Sequence, residues 1–596
     1  MNSFPLLFKS PLFWSLVALA LIKLLLLCCI SNELFFLDPQ IDGKRYSLWA
    51  QKIAQGEWLS SQPFYQEPLY PYLLGLLYFF TGAHLWIMAI FQISLSLSTA
   101  YLLFQFTARL FDSAAAWASF LLYALFGMLY FYEIQPIKTA CVLWTTLVFF
   151  HLCLLKTKKT SLASGIALGA LILLRGNTFL LLPWLCLWKW IHHRALVFWM
   201  LLGCLFPISL TTIHNYLACG EFILTSYQGG SNFYIGNNPK ASGVYMPLRA
   251  GRQTPEYEGP DAVEIASKLA GRPLQYHEVS QFWFHLAWTY LWNHPAEWAK
   301  LWFKKALFFF SPQEFADGIA YRFFRNLYPW YHLFFVGYGF LWLLAFRAFF
   351  QLQYRNPTIQ LLLLYLIGTF CSLVPFYIFS RYRLPVIIAL LPFAGFACRY
   401  RRWLITALIL GIVCEYAIPW DDTPSYYIFG NLYLKRYYSS QNPQDLKQSL
   451  HAYQKATEKN LPFPEAWTAM GNLYLQQKNL AQAEYCYRQA LQQNTFFVKA
   501  LYSLAGILLS KSKNDPPPER KRMLQEAQHY LETALQEEPN SYPALANLGM
   551  VYWNYWRLDP RSETALYRAK YLIQKALQLQ PDDLQLQSVW QTLQKY

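Results

Sequence analysis

Up to Ile418 the chain alternates between long apolar runs and short polar connections, and beyond that residue it becomes polar. About eleven of the runs approach the length that crosses a bilayer core, so they predict membrane-spanning helices. The predicted spans are Leu12–Ile30, His84–Phe106, Ala114–Phe131, Ile137–Leu155, Leu162–Leu174, Thr178–Trp190, Ala195–Leu217, Tyr331–Phe346, Thr358–Phe379, Leu384–Ala397 and Leu404–Ile418.

Basic residues in the short connections indicate which side of the membrane each connection occupies. With this set of spans, the clusters around Arg109, Lys156, Arg194, Arg347 and Arg399 all fall on one side, which the positive-inside rule makes cytoplasmic. The N-terminus is then cytoplasmic as well. The long connections 31–83 and 218–330, and the whole chain after the last span, are predicted on the outer side.

Two short apolar segments would disturb this topology if they crossed the membrane. Pro68–Gly82 begins with two prolines, and Trp298–Phe310 carries two lysines, so both are interpreted as juxtamembrane or re-entrant segments. Lys23 lies inside the first span. Its long side chain could snorkel to the interface or contribute to the pocket, and we favour snorkelling.

Composition agrees with a membrane protein. Of 596 residues, 55% are hydrophobic and only 14% are charged. The net charge of +16 is concentrated in the connections, which favours membrane topology over nucleic-acid binding. Of the eleven cysteines only Cys486 falls in the polar part, so neither a disulfide framework nor a cysteine-based zinc site is predicted.

Ionisable side chains converge on the predicted outer face. They are Asp42, Arg45, Glu133, Lys138, Arg175, Arg381 and Arg383. Charged groups beside the membrane core are costly and tend to line a site. Transfer of a sugar from a lipid phosphate needs a base for the acceptor proton and cations for the phosphate. Asp42 fits the first role, and the four arginines fit the second because a guanidinium pairs bidentately with phosphate.

Other interpretations of these residues stay open. Arg381 and Arg383 could anchor the chain at lipid headgroups. Glu133 could be a second acid, a metal ligand or an ordinary helix-end residue. His277, His285 and His294 are too far apart for a helical ligand pair, so no metal site is predicted from them. A phosphate-binding loop and a dinucleotide fingerprint are both missing from the sequence, which argues against a nucleotide-dependent site.

The polar part repeats with a period near 34 residues. In the clearest unit, Pro464–Phe497, large and small residues fall at the tetratricopeptide positions. We predict a linker over 419–425, about four such repeats over 426–582 and a capping helix over 583–596. Stacked repeats form an α-solenoid whose concave surface can hold an extended peptide. A spacer or oligomerisation module is the alternative.

The order of motifs in the membrane part resembles the GT-C glycosyltransferases, in the branch of protein mannosyltransferases and aminoarabinose transferases. The carrying pieces are Asp42-Gly43-Lys44-Arg45-Tyr46, Glu67-Pro68-Leu69-Tyr70-Pro71, Tyr132-Glu133, Leu173-Leu174-Arg175-Gly176-Asn177, His214-Asn215-Tyr216, Gly229–Pro239 and Ser380-Arg381-Tyr382-Arg383-Leu384-Pro385.

The resemblance implies that Asp42 is the catalytic carboxylate and that Arg45 contacts the donor phosphate. It places Asn237 in an outer domain over the site. We expect Tyr46, Glu67 and Lys138 to line the site as well, and Tyr382 to bind the donor phosphate together with the four arginines. The chain departs from the branch at Glu67, where aminoarabinose transferases carry a lysine. The resemblance does not imply metal dependence, because no Asp-x-Asp pair follows the third predicted span. No cofactor is predicted with certainty, and a divalent metal stays open.

The sequence therefore predicts an all-α, multi-pass enzyme of the GT-C type, in a bacterial inner membrane, with extracytoplasmic repeats. Its donor would be a polyprenyl-phosphate-linked sugar, and the repeats would recruit a protein acceptor or partner. One alternative is a non-catalytic membrane scaffold that displays repeats for cell-envelope assembly. Another is transfer to a lipid or glycan acceptor.

Overall fold

A computed structural model describes residues 10–252, 254–316, 318–417, 421–458, 462–513 and 515–596. The chain divides into two compact units between Asp421 and Asp422. Within the described ranges, all regular structure is helical apart from one isolated bridge between Phe126 and Phe335. The predicted all-α class is confirmed.

The first unit contains 21 α-helices in its described residues. They are α1 Pro11–Ile30, α2 Leu34–Leu37, α3 Ile41–Ala54, α4 Leu69–Thr81, α5 Leu85–Leu110, α6 Ser113–Ala124, α7 Gly127–Glu133, α8 Thr139–Leu154, α9 Lys158–Leu174, α10 Leu182–His193, α11 Val197–Cys219, α12 Gly229–Gly236, α13 Pro255–Ala270, α14 Tyr276–Asn293, α15 Pro295–Phe310, α16 Tyr321–Leu327, α17 Tyr338–Phe349, α18 Pro357–Leu373, α19 Ser380–Arg383, α20 Pro385–Ala397 and α21 Arg401–Ala417. Short 3₁₀ turns cover Gly176–Leu181, Arg194–Leu196 and Pro329–Leu333.

Among the residues that the structure describes, three helical segments are long and apolar enough to cross a membrane: Pro11–Ile30, Leu85–Leu110 and Gly176–Cys219. Shorter apolar helices include α4, α6, α8, α17, α18 and α20. The apolar runs predicted in the first unit thus form apolar helices. The number of membrane spans, about eleven, stays a prediction.

Glycines allow a close helix contact in this unit, between α9 and α11. A methyl group at Gly165 would overlap the carbonyl oxygen of Met200, and one at Gly203 would overlap that of Leu162. Small residues at such crossings let backbones approach, which is the main source of helix association where lipid removes the hydrophobic drive. Helix α9, which ends directly before Arg175, is therefore packed tightly against α11.

Helix α3 packs along α4 beside the predicted outer face. The β-branched side chain of Ile53 and the backbone of Ala50 lie so close to Gly75 that a side chain there would collide with them. The amphipathic segment that follows Asp42 thus rests on Leu69–Thr81, one of the two short apolar segments predicted not to span.

The second unit contains four helix pairs and a final helix in its described residues. The pairs are α22 Thr423–Ser440 with α23 Pro443–Thr457, α24 Pro464–Gln476 with α25 Leu480–Gln493, α26 Val498–Lys511 with α27 Pro517–Glu537, and α28 Tyr542–Leu558 with α29 Glu563–Leu579; α30 is Leu584–Leu593. In the first two pairs a glycine on the first helix meets a ring on the second: Gly430 meets Tyr453, and Gly471 meets Tyr487.

The connection between the units differs in extent from the predicted linker. Residues 419 and 420 of the predicted range lie outside the described residues. Helix α22 begins at Thr423, inside the range predicted as linker, with Pro424 in its first turn. Proline is well tolerated there because its missing N–H would have no intrahelical partner.

Candidate active site

Asp42 lies in the first turn of α3, directly after a strained residue. Ile41 adopts φ 48°, in the left-handed region that β-branched residues avoid. Such a conformation costs of order 1–3 kcal/mol and persists only where the surrounding structure imposes it. The surrounding structure therefore imposes the backbone conformation of the residue directly before Asp42.

The partner of Asp42 comes from the other end of the unit. Arg381 donates from Nη2 to Asp42 Oδ2 at 2.7 Å, joining α19 to α3. Burial works to raise the pKa of Asp42, but Arg381, with smaller contributions from Lys138 and Arg45, holds that pKa below its ordinary value. Asp42 is therefore an ionised carboxylate at neutral pH, set among three cations.

Arg45 lies three residues after Asp42, a little less than one helical turn, and contacts α13. Its Nη1 donates to the carbonyl oxygen of Pro255 at 2.7 Å, and its guanidinium lies 5.6 Å from the ring centre of Tyr65. Tyr46 is buried next to it, in edge contact with Tyr70 at 5.5 Å. The side chain of Arg45 is partly exposed, whereas that of Tyr46 is buried and packs α3 against the rest of the unit.

Glu67 and Lys138 form a second ion pair close to Asp42. Lys138 Nζ lies 2.9 Å from Glu67 Oε2, and both side chains are buried. The other oxygen of Glu67 accepts from the Gly176 N–H at 2.9 Å and from Gln228 Nε2 at 2.8 Å. Glu67 thus ties together four separate segments, and it holds Lys138 within electrostatic reach of Asp42.

Arg175 stabilises the segment that carries Arg381. Its Nη1 donates to the carbonyl oxygen of Tyr382 at 2.8 Å and its Nη2 to that of Arg381 at 2.6 Å. The guanidinium also lies 5.0 Å from the ring centre of Tyr382. The buried Nε has no hydrogen-bond partner within the described part of the chain. Arg175 therefore positions Arg381 and leaves one N–H unsatisfied.

A cavity of about 390 Å³ begins at this group. Its polar end carries Glu67, Lys138, Arg175 and Gln228, and Tyr382 lines it as well. The remaining wall is mostly apolar; it includes Phe179, Leu180, Phe233, Phe284, Trp288, Leu373 and Phe376. An elongated apolar molecule with an anionic head would match this distribution of polar and apolar wall.

Two predicted site residues lie elsewhere. Arg383 donates to the carbonyl oxygens of Phe308, Ser311 and Gln313, at 2.7, 2.6 and 2.6 Å, so its terminal nitrogens hold a backbone turn in place. Its predicted contact with phosphate receives no support from this placement. Asn237 is buried; its amide bridges backbone carbonyls and its Oδ1 accepts from Lys305 Nζ at 3.0 Å. Neither side chain lines the cavity.

The expectation that Lys23 snorkels is wrong. Lys23 Nζ lies 2.6 Å from Glu133 Oε2, with 2% and 4% of the two side chains exposed. The lysine has an anion within reach in the membrane unit, so it has no need to extend to the interface. Glu133 is held in this pair, and none of the contacts found among the described residues joins it to Asp42.

Glu258 is a carboxylate of the site that sequence reasoning missed. It lies on α13, and Tyr245 Oη donates to its Oε1 at 2.6 Å. Burial raises the pKa of Glu258 to about 7, and the charge of Asp42 adds to the shift. One signal was available: Glu258 precedes the fully buried Ala262 and Ala266 by four and eight residues, which places it towards the buried face of an amphipathic helix.

Two of the three histidines in the connection predicted to be outer, His277 and His294, have ordinary partners. His277 Nδ1 lies 2.9 Å from Glu221 Oε2, and His294 Nδ1 lies 3.2 Å from the carbonyl oxygen of Tyr290. In the part of the chain that the structure describes, no three His, Cys, Asp or Glu side chains are grouped as metal ligands.

Comparisons with known proteins give two kinds of similarity. The tetratricopeptide repeat family model matches residues 464–494, which confirms a repeat there. A comparison with curated proteins finds no match. Among solved structures, the chain is similar to ArnT from Cupriavidus metallidurans bound to undecaprenyl phosphate, at 14% identity over 85% of this chain and 82% of that one, with a TM-score of 0.41.

The repeat proteins that match align with a smaller share of this chain. YrrB, a tetratricopeptide protein described as having an unusual peptide-binding site, is 15% identical over 32% of this chain and 84% of its own, with a TM-score of 0.21. TTC0263, a tetratricopeptide protein from Thermus thermophilus, is 17% identical over 29% of this chain and 100% of its own, with a TM-score of 0.20. The repeat predicted over Pro464–Phe497 coincides with the residues that the family model matches.

Proposed function

We propose that the protein is a membrane glycosyltransferase of the GT-C type that moves a sugar from a polyprenyl-phosphate carrier to an acceptor hydroxyl. The observation that carries the proposal is the ionised Asp42 carboxylate beside a cavity with a cationic end and an apolar wall. The order of motifs in the sequence supports the same reaction.

The cavity suits the lipid-phosphate part of the donor. Its aromatic and aliphatic wall excludes water from a prenyl chain, whose burial contributes about 25 cal/mol for each Å² removed from water. Lys138 and the unsatisfied Nε of Arg175 lie at the polar end, where a phosphate oxygen would find donors. Glu67 offsets one of the two positive charges there, so the polar end keeps a net attraction for a single phosphate group.

The acceptor hydroxyl attacks the anomeric carbon while the bond from that carbon to the phosphate oxygen breaks. Asp42 receives the hydroxyl proton, and the bonding electrons leave with the lipid phosphate. Arg381, which is paired with Asp42, and Arg45, whose charge also acts on Asp42, are the cations proposed to stabilise the phosphate oxygen as charge develops on it. Preorganised cations of this kind usually supply the largest part of transition-state stabilisation.

The acceptor is proposed to be a protein that the repeat unit recruits. Helix pairs of the tetratricopeptide type present concave surfaces to extended peptides. Following the distribution of basic connections, the reaction is placed on the extracytoplasmic face of a bacterial inner membrane, with the N-terminus in the cytoplasm.

Asp42→Asn tests the proposal. With radiolabelled polyprenyl-phosphate sugars in proteoliposomes, the change should lower the transfer rate by about 10²–10⁴-fold, because a positioned base contributes that much. Binding of undecaprenyl phosphate alone should not weaken, since loss of the carboxylate frees Arg381. Glu57→Gln is the matched control, as Glu57 is an exposed carboxylate in the same connection.

Each outcome decides between the candidate functions. Transfer by Asp42→Asn within tenfold of the unchanged protein would refute the base assignment. If the unchanged protein neither binds undecaprenyl phosphate nor transfers sugar, the enzyme proposal is overturned and the scaffold interpretation takes its place. The labelled product identifies the acceptor as protein, lipid or glycan.

A further inference from the structure

A second cavity, of about 420 Å³, lies away from the candidate active site. Four helices meet at it: α5, α8 and α10 end there, and α18 begins there. Among the described residues, none lines both this cavity and the one beside Arg175. The second cavity therefore belongs to a different part of the membrane unit, and the proposed reaction does not use it.

Helix α9 connects the two cavities. Lys156, which lines the second cavity, lies two residues before α9, and Arg175, which lines the first, directly follows it. The 17 residues of α9 extend about 25 Å. A bilayer core is about 30 Å thick, so the two cavities lie near opposite membrane surfaces. The basic connections predict that the second cavity is on the cytoplasmic side.

The charged and titratable side chains that line the second cavity, among the described residues, are all basic. They are Arg109, Lys156, His192 and His193, and we call the space the basic cavity. Within the described ranges, neither Arg109 nor Lys156 forms an ion pair. The acidic residue nearest to Arg109 in the sequence, Asp112, is paired with Arg399 at 2.6 Å. Both cations are therefore available to an anion from outside the chain.

The remaining wall of the basic cavity is mostly apolar. It includes Phe106, Leu110, Leu154 and Trp188. Trp188 Nε1 donates to the carbonyl oxygen of Pro357 at 2.8 Å, and His192 Nε2 lies 2.6 Å from Gln360 Oε1. These two bonds join α10 to α18, so the wall is a fixed part of the folded unit. A ligand that carries an anionic group on an apolar body would match both parts of the cavity.

A phosphate group suits the cations of this cavity, because guanidinium and ammonium groups both bind phosphate oxygens. Two sources could supply it, a membrane phospholipid or a soluble phosphate. The cavity lies at the ends of four helices, where lipid headgroups are found, and basic pockets between membrane helices on the cytoplasmic side are typical sites for anionic headgroups. A soluble phosphate would also leave the apolar wall at Phe106 and Trp188 without a contact.

We infer that the basic cavity binds the phosphate headgroup of an anionic phospholipid. The apolar wall contacts the glycerol and the first carbons of the lipid chains, and Arg109 and Lys156 contact the phosphate. The inference goes beyond the proposed function and does not depend on it, since the cavity shares no described residue with the candidate active site.

The experiment measures binding of radiolabelled phosphatidylglycerol to the full-length protein in non-ionic detergent. Binding should saturate, and added salt should weaken it because salt screens exposed charges. Unlabelled phosphatidylcholine, whose headgroup has no net charge, should not displace the label at the same concentration. Inorganic phosphate and glycerophosphoglycerol, which lack lipid chains, should not displace it either.

Four variants locate the bound lipid. Arg109→Gln and Lys156→Gln should each weaken binding about fivefold, and the double variant about 25-fold, since each basic residue contributes separately to attraction of an anionic lipid. Arg109→Lys combined with Lys156→Arg keeps both charges and should retain binding. Lys159→Gln combined with Arg402→Gln is the matched control: it removes two exposed charges on the same predicted side, outside the cavity, and should not change binding.

Four results would overturn the inference. Undiminished binding by the double glutamine variant would show that the lipid binds elsewhere, such as in the cavity beside Arg175. An equal loss in the matched control would show attraction by overall positive charge. Displacement by inorganic phosphate or glycerophosphoglycerol would identify the ligand as a soluble anion. Loss of binding in the charge-retaining variant would contradict a site that depends on the two charges.

Discussion

Changing Lys23 to methionine would remove the cation that neutralises Glu133 inside the membrane unit. The two groups lie 2.6 Å apart with almost no exposure, so Glu133 would be left buried without its partner. Breaking such a pair from one side costs about 3–5 kcal/mol, whereas removing both charges together is often close to neutral. We therefore expect Lys23→Met and Glu133→Gln each to destabilise the protein strongly and the double variant to be more stable than either.

The assay is a double-mutant cycle of unfolding in mixed detergent and SDS micelles, followed by tryptophan fluorescence. A coupling free energy of about 3 kcal/mol is expected from the loss of a buried pair. Additive effects, with coupling below about 0.5 kcal/mol, would refute the reasoning because independent sites behave in that way.

The same variants test what Glu133 does. Gln92 donates from Nε2 to the carbonyl oxygens of Glu133 and Gln135, at 3.2 and 2.6 Å, and Pro136 packs beside Gly43 of α3. If Glu133 only positions this connection, the double variant should recover sugar transfer relative to Glu133→Gln. If Glu133 were a catalytic acid, transfer would be lost equally in both.

Three further predictions concern pH and packing. Because the folded-state pKa of Glu258, about 7, lies above its ordinary value of 4.5, its contribution to stability is complete below the unfolded pKa and is lost as pH rises through 7. The unfolding temperature of the unchanged protein should therefore fall as the pH rises from 5 to 8, and that of Glu258→Gln should fall less. Equal falls in unfolding temperature would contradict the raised pKa. Gly165→Leu should destabilise the first unit by about 1–3 kcal/mol through its clash with Met200, and SDS unfolding would show this. Gly471→Val should lower the unfolding temperature through the ring of Tyr487, and an unchanged melting curve by circular dichroism would refute that contact.

Much of the architecture could be predicted from the sequence because its causes are local. Apolar runs and repeat spacing predict helices directly. The helical class and a tetratricopeptide repeat at residues 464–494 were both confirmed. The structure also brings Asp42, Arg45, Lys138, Arg175 and Arg381 to one region, as the predicted topology required. Their catalytic and binding roles stay predictions.

The exact surroundings of the charged side chains have physical causes that a single sequence does not reveal. Arg175, Arg381 and Arg383 are equivalent as residue types, yet Nη1 and Nη2 of Arg175 and Arg383 donate to backbone carbonyls, while Arg381 meets Asp42. Which carbonyls a guanidinium meets depends on long-range packing. The ion pair between Lys23 and Glu133 could not be predicted either, because the two residues are 110 positions apart in the sequence.

That separation sets an order on the synthesis of the protein. Ribosomes add about 5–20 residues per second, so α1 carries Lys23 for about 5–20 s before Glu133 exists. Throughout that interval the lysine's charge disfavours the centre of a bilayer by about 2.5–3.5 kcal/mol. The pair that neutralises Lys23 can form only once α7 has been made, so α1 gains its buried partner late in synthesis.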